Sequence, residues 1–288
     1  MHIRYLAGYS APLLVLYRRA RNLFNAKLQY VRVLIYHHIP ENKLNLFEYQ
    51  MQYLVANYHF LTPNEFQSFI KGNYTRSGIN LLLTFDDGFR SSYTVAREIL
   101  KELNIKAIFF IPTEFIGLKD DNERMNFIIQ KIFDGNLGNP LIARDMRPMT
   151  WDDLKYLIKE GHAVGSHTRN HKRLSTLTSY CELYSEIIKS GDIIERRLRV
   201  PINFFSWPFG DVKSINNHAM NLIRERYELC FSGVRGANSV GTSPYLILRD
   251  AVSVDYPLEY LRFIIEGGLD ILYRGKVRKL LCLERKEN

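Results

Sequence analysis

Residues 80–88 read NLLLTFDDG, and this stretch decides the fold. Leu81, Leu82, Leu83 and Phe85 make it almost continuously apolar, the pattern of a strand buried on both faces within a parallel sheet. It ends abruptly in Asp86, Asp87 and Gly88. Ligands of α/β folds gather at the carboxyl ends of parallel strands, so paired carboxylates at such an end mark a candidate site. Two adjacent negative charges are costly unless something positive neutralises one, and a cation held by one Asp would do so. The competing reading is a plain turn, since Asp-Gly is a common turn dipeptide.

Outward from this strand, short apolar runs alternate with longer amphipathic stretches, as in βα units around a parallel sheet or barrel. Residues 32–36 (RVLIY) form a preceding strand, and 106–111 (KAIFFI) a following one closed by Pro112. Between them Ser91 and Ser92 are candidate caps for a helix carrying Val95, Ile99, Leu100 and Leu103 at helical spacing. Residues 120–148, interrupted by Gly135, Gly138 and Pro140, read as an insertion with one helix around 127–133. Thr150 followed by Asp153 resembles a capping box, and further strands are expected at 162–166, 203–207, 228–232 and 245–249, with a last helix at 258–265. No repeat or linker divides the chain, which predicts one domain over 31–270, an N-terminal extension at 1–30 and a basic C-terminal tail at 271–288.

The 288 residues are 46% hydrophobic and 24% charged, enough to bury a substantial core. Lys and Arg outnumber Asp and Glu by 39 to 30, a formal charge of +9 that favours anionic partners. No nucleic-acid motif accompanies the charge, and basic residues are dispersed apart from Arg18, Arg19 and Arg21, and Arg274, Lys276, Arg278 and Lys279. Cys181, Cys230 and Cys282 lack any CxxC spacing, so they suggest neither a disulfide framework nor a zinc knuckle. The apolar stretch 11–17 contains Pro12 and runs into Arg18 without a cleavage site, and no segment reaches the ~20 apolar residues of a membrane span. The expectation is a cytoplasmic protein, with peripheral contact at the inner membrane open to its two basic ends.

A second constellation, SHTRNH at 166–171, follows another strand-like run. On a helical turn His167 and His171 project from one face at i and i+4, close enough for both to reach one cation. Placed on the same rim, they and an Asp provide two imidazoles and a carboxylate, with coordination positions left open for water and substrate. Non-haem iron oxygenases use the same three ligand types, but usually pair a His closely with the carboxylate; here the histidines are close and the carboxylate remote.

TFDDG at 84–88, SHTRNH at 166–171 and WPFG at 207–210 together resemble the polysaccharide deacetylases, carbohydrate esterase family 4 with its NodB homology domain. YHHI at 36–39, followed by Phe47, Gln50, Met51 and Leu54, resembles the branch acting on surface polysaccharides. The resemblance covers roughly 33–231 and implies an α/β fold, a distorted (β/α) barrel. It implies N-deacetylation of an N-acetylated glycan with a divalent metal, zinc first, held by Asp87, His167 and His171. Asp86 would be the base, and the backbone amide of Phe209 would hold the oxyanion, with Pro208 and Gly210 shaping that turn.

Two positions depart from the family pattern. Ser206 stands where many members carry an arginine that orients the catalytic Asp, and Arg249 is either its replacement or a surface charge. The family's Leu-x-His motif, source of the general acid, is absent: no histidine follows His218, and Leu248, Arg249 and Asp250 occupy that region. His37 and His38 end the first strand on the same rim and are candidates for acid or orienting roles, although strand alternation prevents both from facing the centre. Trp207 and Trp151 are each a core residue or a sugar platform, with Trp207 favoured as the platform, so the expected substrate side comprises Trp207, Pro208, Gly210, His37 and Arg249. The losses also suggest a glycan-binding module without turnover, but retention of Asp86 argues for an enzyme, since binding alone has no need for a base.

Overall fold

In the computed structural model, which describes residues 8, 11, 12, 29–74, 76–138 and 146–285, the apolar run becomes strand β3 (Gly78–Phe85). It lies parallel between β1 (Gln29–Tyr36) and β4 (Ala107–Ile111), with Leu83 opposite Leu34 and Phe85 opposite Phe109. The short β2 (His59–Phe60) pairs with its earlier half. Beyond β4 follow β5 (Ala163–Ser166), β6 (Phe204–Ser206) and β7 (Leu229–Phe231), and beyond β1 lies β8 (Asp250–Ala251), every ladder parallel. Parallel neighbours need crossovers, and helices supply most of them. These include α1 (Leu44–Asn57), α2 (Pro63–Ile70), α3 (Arg90–Val95), α4 (Asp121–Phe127), α5 (Trp151–Lys159), α6 (Tyr180–Leu198) and α7 (Asn217–Arg226).

The two ends of this sheet meet through residues 244–249. Ile247 bridges Phe231 in parallel, Ser232 N donates to Ile247 O at 2.8 Å, and Arg249 N donates to Val234 O at 2.9 Å. The result is a distorted (β/α) barrel closed by an irregular segment. A full strand expected at 245–249 does not form; these residues make the closing contacts, and the strand is the two-residue β8. Alternation sorts the side chains: Val33, Leu82, Ile108, Phe110, Phe204 and Phe231 form one cluster with Phe66 and Phe69 from α2. The opposite faces, including Leu34, Leu83, Phe85, Phe109 and Phe205, pack under the helices.

Of the two helix starts expected from capping residues, α5 forms as expected and α3 does not. Thr150 and Asp153 form the capping box of α5, each side chain accepting from the other's backbone N–H. Ser91 and Ser92, expected as caps of α3, lie inside it and bind the chain after β1 instead. Ser91 Oγ accepts from Ile39 N at 3.0 Å, and Ser92 Oγ donates to His37 O at 3.3 Å. The helix expected around 127–133 is the end of α4 and its continuation as a π-helical turn over Ile128–Ile132. Helix α8 (Leu258–Ile265) ends near the expected tail, of which 271–285 belong to α9 (Asp270–Arg285). Buried Arg32 ties that helix to the barrel, its guanidinium bonding Asp270 at 2.6 and 2.9 Å and Asp250 at 3.3 Å. Arg18, Arg19, Arg21 and Pro140 lie outside the described residues. No helix among the described residues is long and apolar enough to cross a membrane.

His162, just before β5, accepts from Ala107 N through Nδ1 at 3.1 Å, so its proton sits on Nε2. Burial, with a smaller push from Lys106, brings this imidazole from the ordinary 6.5 down to about 4. Above pH 6.5 the ring is neutral whether folded or unfolded, and its contribution is complete. Below that value the unfolded chain takes a proton the folded chain refuses, so stability falls toward pH 4 by up to about 1.4 kcal/mol per pH unit. His162→Asn keeps a side-chain acceptor and removes the titration. Urea unfolding between pH 7.5 and 4.5 is expected to show a shallower acid loss in the variant; parallel loss would contradict this account.

Candidate active site

Consecutive residues on a strand face opposite ways, so Asp86 and Asp87 can share a site only if the chain leaves the strand between them. It does: Asp87 has φ +70° and Gly88 φ +70°. Gly88 is required twice over, because a Cβ there would lie 2.9 Å from Ile116 Cδ1. Both carboxylates are buried, which makes their neutralisation obligatory.

The two histidines arrive by a route other than the expected helical turn. Residues 167–173 form no helix; Thr168 (φ +66°) and His171 (φ +57°) fold the chain back so that the two rings lie 5.0 Å apart. Buried Glu186 of α6 holds this loop, accepting from Arg169 N at 3.1 Å, Asn170 N at 2.7 Å and Asn170 Nδ2 at 2.9 Å. The signal for it was present in the sequence, since a Glu beside Ile187 interrupts the apolar stripe of Leu183, Ile187 and Ile194.

His167 Nδ1 donates to Ser206 O at 2.7 Å and His171 Nδ1 to Lys131 O at 2.8 Å. Carbonyls only accept, so both protons sit on Nδ1 and both Nε2 lone pairs are free. They converge on Asp87 Oδ1 at 3.5 and 3.3 Å, and the ligand atoms of Asp87, His167 and His171 all lie within 4.8 Å of one another. One carboxylate and two neutral imidazoles with their far nitrogens anchored are a donor set that fits a divalent cation such as zinc.

Asp86 is held separately. Arg249, only 1% exposed, donates to its two oxygens at 2.8 Å each, to Ser206 Oγ at 2.6 Å and to Ser232 O at 2.7 Å. The guanidinium lies 5.3 Å from the centre of the Phe110 ring. Arg249 is therefore a buried partner of Asp86, and the reading of it as a surface charge is corrected. Burial would raise the Asp86 pKa, but the Arg249 charge outweighs it and keeps the carboxyl below its ordinary value. For Asp87 burial is again opposed, here by the two imidazoles that face it, and its carboxyl stays well below the ordinary value.

The WPFG turn borders this cluster. Phe209, at φ +65°, sets its ring 5.0 Å from that of His171, and its backbone N–H has no acceptor among the described residues. Gly210 packs against Gly233 so closely that a Cβ would lie 2.5 Å from its Cα, and Pro208 is buried beside it. Trp207, expected as a sugar platform, is 0% exposed and donates Nε1 to Asp211 O at 3.2 Å; it is a core side chain. Of the histidines after β1, His37 is exposed at the strand's end. His38 turns to Ser91 Oγ at 3.0 Å and to the edge of Phe89.

The rim of this parallel barrel gathers two imidazoles and one carboxylate that could hold a cation, beside a second carboxylate on its own arginine. Residues 73–226, just over half of the chain, match the family described as polysaccharide deacetylase. The chain belongs to that family and is a hydrolase of its class. YxkH of Bacillus subtilis, whose name places it in the same family, is 27% identical over 227 residues, covering 77% of this chain and 71% of that protein. A peptidoglycan-N-acetylglucosamine deacetylase of Bacillus cereus is 25% identical over 188 residues, 64% of this chain and 54% of that protein. In fold, the chain is similar to the deacetylase PplD of Streptococcus pyogenes, with TM-score 0.63, 22% identity and coverage of 82% of this chain and 97% of that one.

Removing one partner of a buried ion pair leaves the other uncompensated, at a cost of about 3–5 kcal/mol. Arg249→Met is expected to lose stability of that order, and Asp86→Asn/Arg249→Met less than the sum of the single changes. Urea unfolding of the four proteins at pH 7 checks this; additive losses would show that the two side chains are not coupled.

Proposed function

We propose that this chain is a metal-dependent N-deacetylase of N-acetylated glycans, with Asp87, His167 and His171 as ligands of a divalent ion, zinc first. The observation that carries the reading is the separation of two adjacent carboxylates: Asp87 faces two free Nε2 atoms, whereas both oxygens of Asp86 belong to Arg249. A bound dication would acidify a water molecule and polarise the acetamide carbonyl.

The protein groups then divide the work. Arg249 keeps Asp86 ionised and fixes its orientation, and Asp86 accepts the proton as the water oxygen adds to the acetamide carbon. A carboxylate held below its ordinary pKa is a weak base, and an acidified water would need no stronger one. The open N–H of Phe209 is the donor for the charge that develops on the carbonyl oxygen. The C–N bond breaks when the sugar nitrogen takes a proton, and His37, exposed where β1 ends on the same rim, is the group we assign to deliver it. Acetate and the free amine leave. The name of the Bacillus cereus relative supports an N-acetylglucosamine-type substrate.

The test is acetate release by the zinc-loaded protein from a panel of N-acetylated oligosaccharides, with metal content measured alongside. Release is expected from at least one of them, and His167→Ala/His171→Ala is expected to lose both metal and activity. Full metal occupancy in that double variant would remove the proposed ligands, and no acetate from any oligosaccharide would contradict the activity.

A further inference from the structure

Trp207 belongs to the core, but the other tryptophan, Trp151, does not. It is partly exposed at the start of α5 and lines two adjoining hollows of about 510 and 520 Å³, both shared with Arg196 and Arg197 near the end of α6. Its Nε1 has no acceptor among the described residues, in contrast to that of Trp207. The Arg197 guanidinium lies 5.5 Å from the centre of its ring.

The charge along this groove is unbalanced. Arg196, Arg197 and Arg199 are exposed, and none has a carboxylate partner among the described residues. Nearby acids are already taken: Glu114 by Arg169 Nε at 2.6 Å and Asp152 by Lys155 Nζ at 2.8 Å. Arginines in a last helical turn favour the helix dipole. That accounts for their charge but for neither the tryptophan beside them nor the hydroxyl at the other end of the groove. There Thr113 is 6% exposed, and its buried Oγ1 has no partner.

That end is bonded to the candidate active site. Thr113 N donates to Thr168 O at 3.3 Å and Glu114 N to Arg169 O at 3.0 Å, within the loop that carries His167 and His171. We propose that the groove of Trp151, Arg196 and Arg197 is an exosite for a negatively charged stretch of the glycan. One sugar ring lies on the indole, and its carboxylate or phosphate is held by the guanidinium pair, whose planar forks match both anions. The exosite raises the local concentration of a polymer whose N-acetyl group is presented at Asp87. This assignment rests on the glycan deacetylase reading for its ligand class, but its test reads binding without turnover.

With Trp207 buried and only two tryptophans in the chain, emission changes on titration report mainly Trp151. Three probes are compared in low salt: a hyaluronan hexasaccharide (carboxylates on alternate sugars), a phosphodiester-linked oligosaccharide, and neutral N-acetylchitohexaose. At least one anionic probe is expected to saturate with an apparent affinity ten-fold or more above the neutral one, and which of them does so identifies the anion. Arg196→Ala/Arg197→Ala should weaken it at least ten-fold, Arg196→Lys/Arg197→Lys less, and 0.5 M salt should weaken it strongly. Trp151→Phe should abolish the signal. Equal affinity for charged and neutral probes, no saturable response to either anionic probe, or wild-type affinity in the alanine variant would overturn the exosite. A stronger response to phosphatidylglycerol vesicles than to either oligosaccharide would reassign the groove to a membrane. A protein that binds as expected yet releases no acetate would refute the proposed reaction and leave the exosite standing.

Discussion

The bidentate pair of Arg249 and Asp86 is the interaction on which the rest of the site depends. Two neighbouring carboxylates are buried at the end of β3, and the one guanidinium beside them pairs with Asp86. Arg249 serves one and so leaves Asp87 to the histidines. The same arginine sits on the segment that closes the barrel, its N–H bonded to Val234 O and its Nε to Ser232 O. Barrel closure and neutralisation of Asp86 are thus one structural event. Ser206 completes the arrangement, accepting from Arg249 with its hydroxyl and from His167 with its carbonyl.

A second constraint is the tautomer of the two imidazoles. Carbonyls of Ser206 and Lys131 fix both protons on Nδ1 and turn both Nε2 atoms to Asp87. One carbonyl comes from β6, the other from a π-helical turn in the insertion after β4. Such turns displace the regular hydrogen-bond ladder and recur at functional sites. The insertion is therefore part of the site, although none of its side chains is assigned to the chemistry.

Much of this was legible in the sequence, and the reason is local. Strands β1, β3, β4, β5, β6 and β7 announce themselves through short apolar runs, since burial on both faces forces that composition. Asp86, Asp87, His167 and His171 are legible because their spacing places them at strand ends on one rim. What stayed hidden depends on contacts distant in the chain. Arg249 and Asp86 are 163 residues apart, and nothing around Arg249 separates a buried guanidinium from an exposed one. The segment 245–249 looked like a strand because it is apolar enough for burial, yet it makes only an isolated bridge to β7. Spacing suggested a helical turn for His167 and His171, whereas two positive-φ residues and Glu186 set the loop. Proximity to a motif favours Trp207 as the sugar platform, but packing decides otherwise: Trp207 fills the core and Trp151 faces a groove.

Adjacent aspartates held by different groups should have different tasks. The measurement is acetate release by Asp86→Asn and Asp87→Asn against added zinc, with bound metal quantified in each. Asp86→Asn should retain its metal and lose on the order of 10²- to 10⁴-fold in rate, a loss that excess zinc does not restore. Asp87→Asn should bind metal weakly, because an amide oxygen is a poorer ligand than a carboxylate, and should recover part of its activity as zinc is raised. An Asp86→Asn protein that works at the wild-type rate would contradict the account, and one that loses its metal while Asp87→Asn keeps it would show that the two tasks are reversed.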